Sequence, residues 1–300
     1  MSIEKPRAIE IYSKNFIGLD EKLQNLYEEN FFKEIQLKNE TYKTTYHERL
    51  KDLDKVLLNF LPKERPLKIL DVAVSSGLTT LEWSNSLSKN GIEHEIIATD
   101  LNLKATIVSC FKKVHILVGS NLFPLQWDIW GKCIPNYSKT SQGRNLKRFI
   151  LLLIFQLLFK IFIIINPRFK YLIRDNASYS SKYIALIPIL LVSPRVAMCK
   201  KIKLLEQDLL YQDISNFNRK FHVIRAANIL NKAYFDDNVL LKIIRNLKSL
   251  LTKDGVFVVC RTNEQQENNA SIFRLGETNK FLLLHRVGNG CEIENLILNS

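Results

Sequence analysis

No two of the five cysteines (Cys110, Cys133, Cys199, Cys260 and Cys291) stand at C-x-x-C spacing, and their number is odd. That excludes a disulfide framework and a thiolate zinc site, and it points to a reducing compartment, the cytoplasm. Histidine is equally sparse: five residues, dispersed, with no H-E-x-x-H and no paired ligands, so no metal centre is expected. His222 and His285 fall in apolar stretches and read as packed structural residues. The G-x-G-x-x-G fingerprint of a dinucleotide loop is missing, and the opening thirty residues are charged and helical in pattern, unlike a signal sequence. Acid is short as well. Against 43 Lys and Arg there are 30 Asp and Glu, a formal net charge of +13; such an excess suits nucleic acid or an anionic membrane, or reflects composition alone.

What is present is enough apolar residue, 46% of 300, to build a sizeable core. Up to about Pro66 the chain reads as helices, with Leu50, Leu53, Val56, Leu57 and Phe60 at helical spacing before Leu61-Pro62 stops the pattern. The most informative stretch follows, Leu67 to Thr80. An apolar strand runs to Asp71, then into the small residues Ala73, Ser75, Ser76 and Gly77, then into a helix start at Thr79 and Thr80. Small side chains let backbone approach a ligand, and Gly77 accepts φ > 0. In a doubly wound sheet a nucleotide-like ligand sits here, outside the carboxyl end of the strand. The helix entry carries no Lys or Arg to neutralise phosphate, and Asp71 suits a cationic or hydroxyl-bearing ligand.

Further pieces follow in order. Glu95 to Asp100 is a short strand ending in an acid, and the stretch Lys203 to Leu210 is a strand ending in Asp208, with Leu209 next to it. Phe221 to Leu230 is a strand followed by Asn231-Lys232-Ala233-Tyr234-Phe235. An amphipathic helix carries Val239, Leu240, Ile243, Ile244, Leu247, Leu250 and Leu251 at helical spacing. It ends at Thr252-Lys253-Asp254-Gly255, before the strand Val256 to Cys260. Lys280 to Arg286 and Glu292 to Leu298 read as two strands joined by a turn at Val287-Gly288-Asn289-Gly290.

This ordered set resembles the class I S-adenosylmethionine-dependent methyltransferases. Ala73 and Ser75 stand where a D-x-G-x-G-x-G loop has its first two glycines, and Gly77 where it has the third. The Asn228-to-Phe235 segment resembles the N-x-L-x-Y-F run of chemotaxis-receptor-type methyltransferases, two residues longer. The resemblance implies an α/β fold: a Rossmann-like doubly wound sheet ending in an antiparallel hairpin, with N-terminal helices. It implies S-adenosyl-L-methionine as cofactor, held by Asp71, Ala73, Ser75, Gly77, Asp100, Asp208, Leu209 and Asn228. Asp71 and Gly77 would border the methionine and ribose end, Asp100 the ribose, Asp208 the adenine and Asn228 the sulfonium. The implied domains are a helical cap over 1–66 and a methyltransferase domain over 67–300. Tyr42, Tyr46 and His47 are candidates for the substrate side; the plainer reading is a packing helix with polar residues outward. Arg225 and Arg261 are candidate anchors for an acidic substrate, or equally pair with Asp or Glu. The candidates for a catalytic role are Asn228, Arg225, Tyr46 and His47.

An insertion at about 104–200 departs from the minimal domain. Val114 to Asn121 and Leu125 to Trp130 read as a β-hairpin, followed by a polar linker over Asn136–Asn145. Phe149 to Ile165 then has Gln156 and Lys160 as its only polar residues, i and i+4 on one helical face. Its length, about 25 Å, falls short of the ~30 Å hydrocarbon core. Arg144, Lys147 and Arg148 precede it and Arg168 and Lys170 follow. One crossing would strand two strands of one sheet on opposite sides of the membrane. A second, over Tyr183–Val192, is too short and contains Pro188. The expectation is an in-plane helix, so a membrane surface contacted through 147–170; the alternative is a helix buried against the domain or a dimer partner.

The expected function is methyl transfer to a small or lipid-like acceptor at a membrane surface, in a cytoplasmic, membrane-associated protein. No N-P-P-Y-type segment follows the fourth strand and no RNA-binding module is visible, which disfavours nucleic acid as partner. From another class comes a non-catalytic scaffold that binds a partner through the inserted helix. A nicotinamide enzyme is disfavoured by the glycine-poor loop.

Overall fold

The computed structural model describes residues 5–135, 146–210 and 220–300. In chain order come α1 (Ala8–Ile11), α2 (Lys14–Ile17), α3 (Glu21–Lys33) and α4 (Lys51–Leu57), the last running on into a 3₁₀ turn over Leu58–Phe60. Then follow β1 (Leu67–Val72), α5 (Leu78–Lys89), β2 (His94–Asp100), β3 (Lys104–Cys110), β4 (Val114–Gly119), β5 (Pro124–Ile129) and β6 (Lys132–Pro135). After the helices α6 (Leu146–Ile165) and α7 (Pro167–Arg174) come β7 (Tyr179–Ser180), β8 (Ile184–Leu190), α8 (Pro194–Met198), β9 (Ile202–Glu206) and β10 (Phe221–Ala227). The chain closes with α9 (Asp237–Leu250), β11 (Leu251–Thr262), β12 (Asn268–Leu275), β13 (Phe281–Val287) and α10 (Glu294–Leu298). It divides into two compact units, Met1–His47 with Asn102–Pro194, and Glu48–Leu101 with Arg195–Ser300. The N-terminal helices are thus shared out, α1 to α3 in one unit and α4 in the other.

The second unit holds a seven-stranded sheet in the order β13-β12-β11-β10-β1-β2-β9. β9, β2, β1, β10 and β11 are parallel, and β12 and β13 add an antiparallel meander. Numbered by their own succession, the parallel strands run third, second, first, fourth, fifth, the doubly wound order whose direction reverses beside β1. Being buried on both faces, these strands need near-continuous apolar residues, as β10 and β11 have. Alternate side chains serve opposite faces. Leu70, Val72, Ile224 and Phe257 pack with Leu240, Ile243, Ile244 and Leu247 of α9 and Ile297 of α10. Ile69, Ile96, Val223 and Val258 pack with Leu53 and Leu57 of α4 and Trp83 and Leu87 of α5. The α9 period of three and four is read correctly from the sequence, and Asp236 caps it by accepting from the Val239 amide at 2.9 Å.

Three elements differ from expectation. The third parallel strand stops at Glu206, so Asp208 lies in the connection after it. The expected turn at Thr252 to Gly255 is absorbed into β11 as a bulge. Its register against β10 jumps from Phe221↔Leu251 to Val223↔Val256, Asp254 takes φ 60°, and a Cβ on Gly255 would lie 2.8 Å from the Thr252 carbonyl oxygen. At the C-terminus an antiparallel hairpin is present, but one strand earlier than placed: β13 pairs with β12, and Glu292–Leu298 is not its second strand. Ile293 and Ile297, four apart and both buried, give α10 a helical face.

The first unit is built on a six-stranded antiparallel sheet in the order β6-β5-β4-β3-β8-β7. The expected hairpin is β4 with β5; the sheet around it is larger than the sequence pattern disclosed. One face carries Ala105, Ile107, Leu117 and Leu125 against Ile11, Phe16, Phe31 and Phe32 of the N-terminal helices. The other carries Val108, Ile116, Val118 and Trp127 against Leu152, Phe159 and Ile163 of α6 and Ile173 of α7. Pro167 starts α7, and the two helices bend by 101° at the break. Among the described residues no single helix is long and apolar enough to cross a membrane. The linker expected over Asn136–Asn145, with Arg144, and the side chains of Lys147, Arg148 and Phe149 lie outside the described residues.

Phe257 is fully buried, 5.5 Å from the ring of Phe281 and 6.3 Å from that of Phe273. Phe257→Ala is expected to cost about 3–5 kcal/mol. Leu157→Ala, on the exposed side of α6, stays within about 0.5 kcal/mol; urea titration of both variants against the parent checks the contrast.

Candidate functional site

The carboxyl ends of the five parallel strands share one edge, where a doubly wound sheet binds its ligand. In-register pairing fixes what stands there: Val72 beside Thr99 and Ala226, Ala227 beside Cys260, Asp100 beside Glu206. The loop after β1 therefore lies between Asp100 and Asn228.

That loop has the backbone of a glycine-rich turn without the glycines. Ala73, Ser75 and Gly77 take φ of 56°, 57° and 75°, all left-handed. Only Gly77 adopts this without a Cβ penalty, and a Cβ there would also lie 3.0 Å from Val196 Cγ1. For Ala73 and Ser75 the conformation costs roughly 1–2 kcal/mol each, a strain held by the contacts around it. The Val74 amide donates to the Thr99 carbonyl at 3.0 Å and the Gly77 amide to that of Val74 at 2.8 Å. The Ser75 amide donates to Asp100 Oδ2 at 2.7 Å. In a phosphate-binding loop such amides point at the ligand; here two close on the loop and strand, and the third is held by a carboxylate.

Asp71 and Arg225 are register partners on adjacent strands and point to the same face. The guanidinium donates from Nε to Asp71 Oδ1 (3.1 Å), from Nη2 to Asp71 Oδ2 (2.6 Å) and from Nη1 to Asp54 Oδ1 (2.9 Å). Nη2 also donates to the Thr79 carbonyl at 3.2 Å, Thr80 Oγ1 donates to Asp71 Oδ2 at 2.7 Å, and the guanidinium lies 4.2 Å from the centre of the Trp83 ring. Asp71 is 2% exposed and Arg225 has no exposed surface. Both are therefore committed to the interior beneath the loop: Asp71 does not face a ligand, and Arg225, read as either a substrate anchor or a partner of an acid, is the latter. Burial opposes the charge of Arg225, but Asp71 and Asp54 outweigh it and raise its pKa above the usual range. One guanidinium serves two acids. Burial, partly offset by Arg225 and reinforced by Asp71, lifts Asp54 to a pKa of about 7.

Asn228 takes φ 62°. Its amide donates to the Cys260 carbonyl at 2.7 Å, its Oδ1 accepts from the Thr262 amide at 2.7 Å, and its Nδ2 donates to Thr262 Oγ1 at 3.3 Å. Thr262 Oγ1 in turn donates to Asn268 Oδ1 at 2.9 Å and accepts from Arg49 Nε at 3.2 Å. Asn228 thus ties the end of β10 to that of β11. Burial pushes the neighbouring Cys260 thiol up to about 12, which keeps it protonated and poorly nucleophilic.

Asp208, half-buried beyond β9, caps its own turn by accepting from the Leu210 amide at 2.9 Å; Leu209 packs into the core beside it. Arg261 is exposed and paired with Glu292 at 3.1 Å. Tyr42, Tyr46 and His47 belong to the other unit, where the His47 amide donates to Glu29 Oε1. His222 Nδ1 accepts from the Lys68 amide at 3.0 Å, a structural role as expected, whereas His285 is exposed with its ring stacked 5.4 Å from that of Phe60. Asp54, Thr262 and Asn268 went unread in the sequence. Asp54 did leave a signal, an acid on the helical face shared by Leu50, Leu53 and Leu57.

No protein-family model matches the chain, and no curated protein matches it in sequence. Solved structures do. The citrinin polyketide synthase C-methyltransferase domain is 16% identical over 72% of this chain and 35% of that one, with a TM-score of 0.33. A SAM-dependent methyltransferase from Aquifex aeolicus is 11% identical over 72% and 68%, TM-score 0.31. The N-methyltransferase NodS from Bradyrhizobium japonicum, in complex with S-adenosyl-L-homocysteine, is 10% identical over 72% and 64%, TM-score 0.33. This chain spans about a third of the length of the first. The fold assignment stands on the strand order and the loop themselves: a Rossmann-like sheet whose strand order reverses beside β1.

Two outcomes follow from the geometry. Ala73→Gly removes a Cβ from a left-handed residue and is expected to leave stability unchanged or raise it by up to about 1 kcal/mol, against the usual sign; thermal unfolding measures it. The folded Asp54 carboxyl keeps its proton up to about pH 7, whereas an unfolded one loses it near pH 4. The folded state binds the extra proton between those values, so this group's contribution to stability falls as pH rises through that window and is level above it. Asp54→Asn is expected to flatten the decline, seen as a smaller stability difference between pH 5 and pH 8 than in the parent.

Proposed function

We propose that the sheet edge binds S-adenosyl-L-methionine and that the protein transfers its methyl group to a small or lipid-like acceptor at a membrane surface. The observation that carries this reading is the hydrogen bond from the Ser75 amide to Asp100. It gives a loop amide to a carboxylate and leaves an edge flanked by Asp100 and Asp208 rather than an anion cradle. With no Lys or Arg at the start of α5 to neutralise phosphate, such an edge suits a ligand with ribose hydroxyls, an exocyclic amine and a cationic sulfonium better than a pyrophosphate. The residues present fit: Asp100 would hold the ribose, Asp208 and Leu209 the adenine, and the left-handed stretch Ala73–Gly77 would give the backbone room for the methionyl part. When bound, the sulfonium supplies an electrophilic methyl group, so the reaction asks the protein for position and a dry pocket more than for a strong base. Asn228 stands at the same edge with its side chain fixed by Thr262, a support for ligand contact that does not have to reorganise. A lipid-like acceptor and a membrane surface are supported by the apolar helix α6 and the basic residues beside it.

Calorimetric titration of the full chain with S-adenosyl-L-methionine tests the reading. Micromolar binding is expected, weakened about ten- to a hundredfold by Asp100→Ala, the loss of a charge-assisted contact. No heat at millimolar cofactor, or tighter binding of a nicotinamide dinucleotide, would sink it and leave the partner-binding scaffold.

A further inference from the structure

Helix α6 uses a narrow stripe to hold its sheet, Leu152, Phe159 and Ile163, with Phe155 and Phe162 beside it. The remaining circumference is apolar and open. Leu153, Ile154, Leu157, Leu158, Ile161 and Ile164 are exposed, Leu157 at 59% and Ile164 at 77%. A soluble helix of this kind carries charge on its outer face; α6 carries Lys160 alone among its fully exposed polar residues from Ile150 onward.

We propose that α6 and α7 seat this unit on a bilayer rich in anionic lipid, α6 entering the acyl boundary and α7 lying among the headgroups. The proposal rests on the membrane part of the reading above and not on methyl transfer. Two observations choose lipid over protein as the occupant. The first is which side chains face out. Phe155, Phe159 and Phe162 are turned inward, Phe155 and Phe159 onto Trp127 with ring centres 5.6 and 6.1 Å apart, and among the described residues from Ile150 to Ile165 the exposed face is Leu and Ile with the single cation Lys160. Protein interfaces are enriched in aromatic residues, Met and Arg, whereas lipid tails demand no such variety. The second is charge. From Arg144 to Arg174 there are seven Lys or Arg and no Asp or Glu. Arg168, Arg174 and Tyr171 are exposed on α7, Lys170 is half-buried, and no carboxylate among the described residues pairs with these cations. The 101° bend places α7 across the axis of α6, so the exposed Arg168 and Arg174 and the exposed aliphatic residues are carried on two separate helices. Lys160 has a stem long enough to reach headgroups from the apolar face.

Flotation of the full chain with vesicles of equal parts phosphatidylcholine and phosphatidylglycerol tests this. The parent is expected to float with them, and far less with phosphatidylcholine alone. Arg168→Glu/Lys170→Glu/Arg174→Glu is expected to weaken binding at least tenfold, given about fivefold per basic charge near the surface. Leu157→Asp/Ile161→Asp, at exposed positions that leave the near-ultraviolet circular dichroism unchanged, is expected to abolish it. Leu158→Trp adds a direct reading, a blue shift and quenching by brominated lipid. Equal flotation of parent and Leu157→Asp/Ile161→Asp overturns the proposal. So does a parent that stays with the aqueous fraction, including one that sediments as a dimer dissociated by those substitutions, which makes a second copy the occupant. Asp100→Ala is expected to float normally, so loss of cofactor binding and loss of membrane binding are told apart.

Discussion

One guanidinium between two carboxylates sets the conditions for everything at the sheet edge. Arg225 on β10, Asp71 on β1 and Asp54 on α4 lie without access to water, bonded at 2.6 to 3.1 Å. Taking such ions out of water is costly, and a buried pair of this kind often adds little net stability. Removing one member, however, leaves an unpaired interior charge at a cost of about 3–5 kcal/mol. Its contribution here is geometric. It locks two neighbouring parallel strands to the helix that covers them, and through Thr79 and Thr80 it fixes the start of α5. The loop between β1 and α5 is thereby held from below. Burial, reinforced by the neighbouring charge of Asp71 and only partly offset by the shared cation, is why Asp54 holds a proton near neutrality.

With its ends fixed, the loop can keep a backbone that its residues would not choose. Left-handed Ala73 and Ser75 are strained, and the strain persists because Val74, Ser75 and Gly77 each spend an amide on a partner already in place. The bond from Ser75 to Asp100 has a second effect. It ties an amide of the loop to a carboxylate 25 residues away in sequence, so the loop is bordered by negative charge. Asn228 repeats the device on the neighbouring strand, a left-handed residue whose carboxamide is fixed by Thr262.

The other unit follows a different economy. Its antiparallel sheet is covered on one face by the N-terminal helices and on the other by α6 and α7. The cover is unequal, because α6 from Ile150 onward is apolar on nearly every side and a sheet can bury only one side of a helix. The surplus apolar surface is therefore a property of this helix's sequence that its own unit does not satisfy.

Sequence alone determined the parallel core. β1, β2, β10 and α9 follow from runs of Val, Ile and Leu and from a period of three to four, and local periodicity survives folding because burial on a given face enforces it. It also determined the apolar excess of α6 and the structural character of His222. The short C-terminal segment reads as a strand in the sequence and is a helix: Ile293, Leu296 and Ile297 suit either locally, and packing against the core beside β12 and β13 decides for helix. The fates of Asp71 and Arg225 were likewise invisible locally. An acid at a strand end looks the same whether it faces a ligand or an arginine, and which it meets depends on the register between strands some 154 residues apart. Tertiary structure decided that register, and with it that Asp71 is buried against Arg225 while Asp100 stands at the carboxyl edge of the sheet beside the loop after β1.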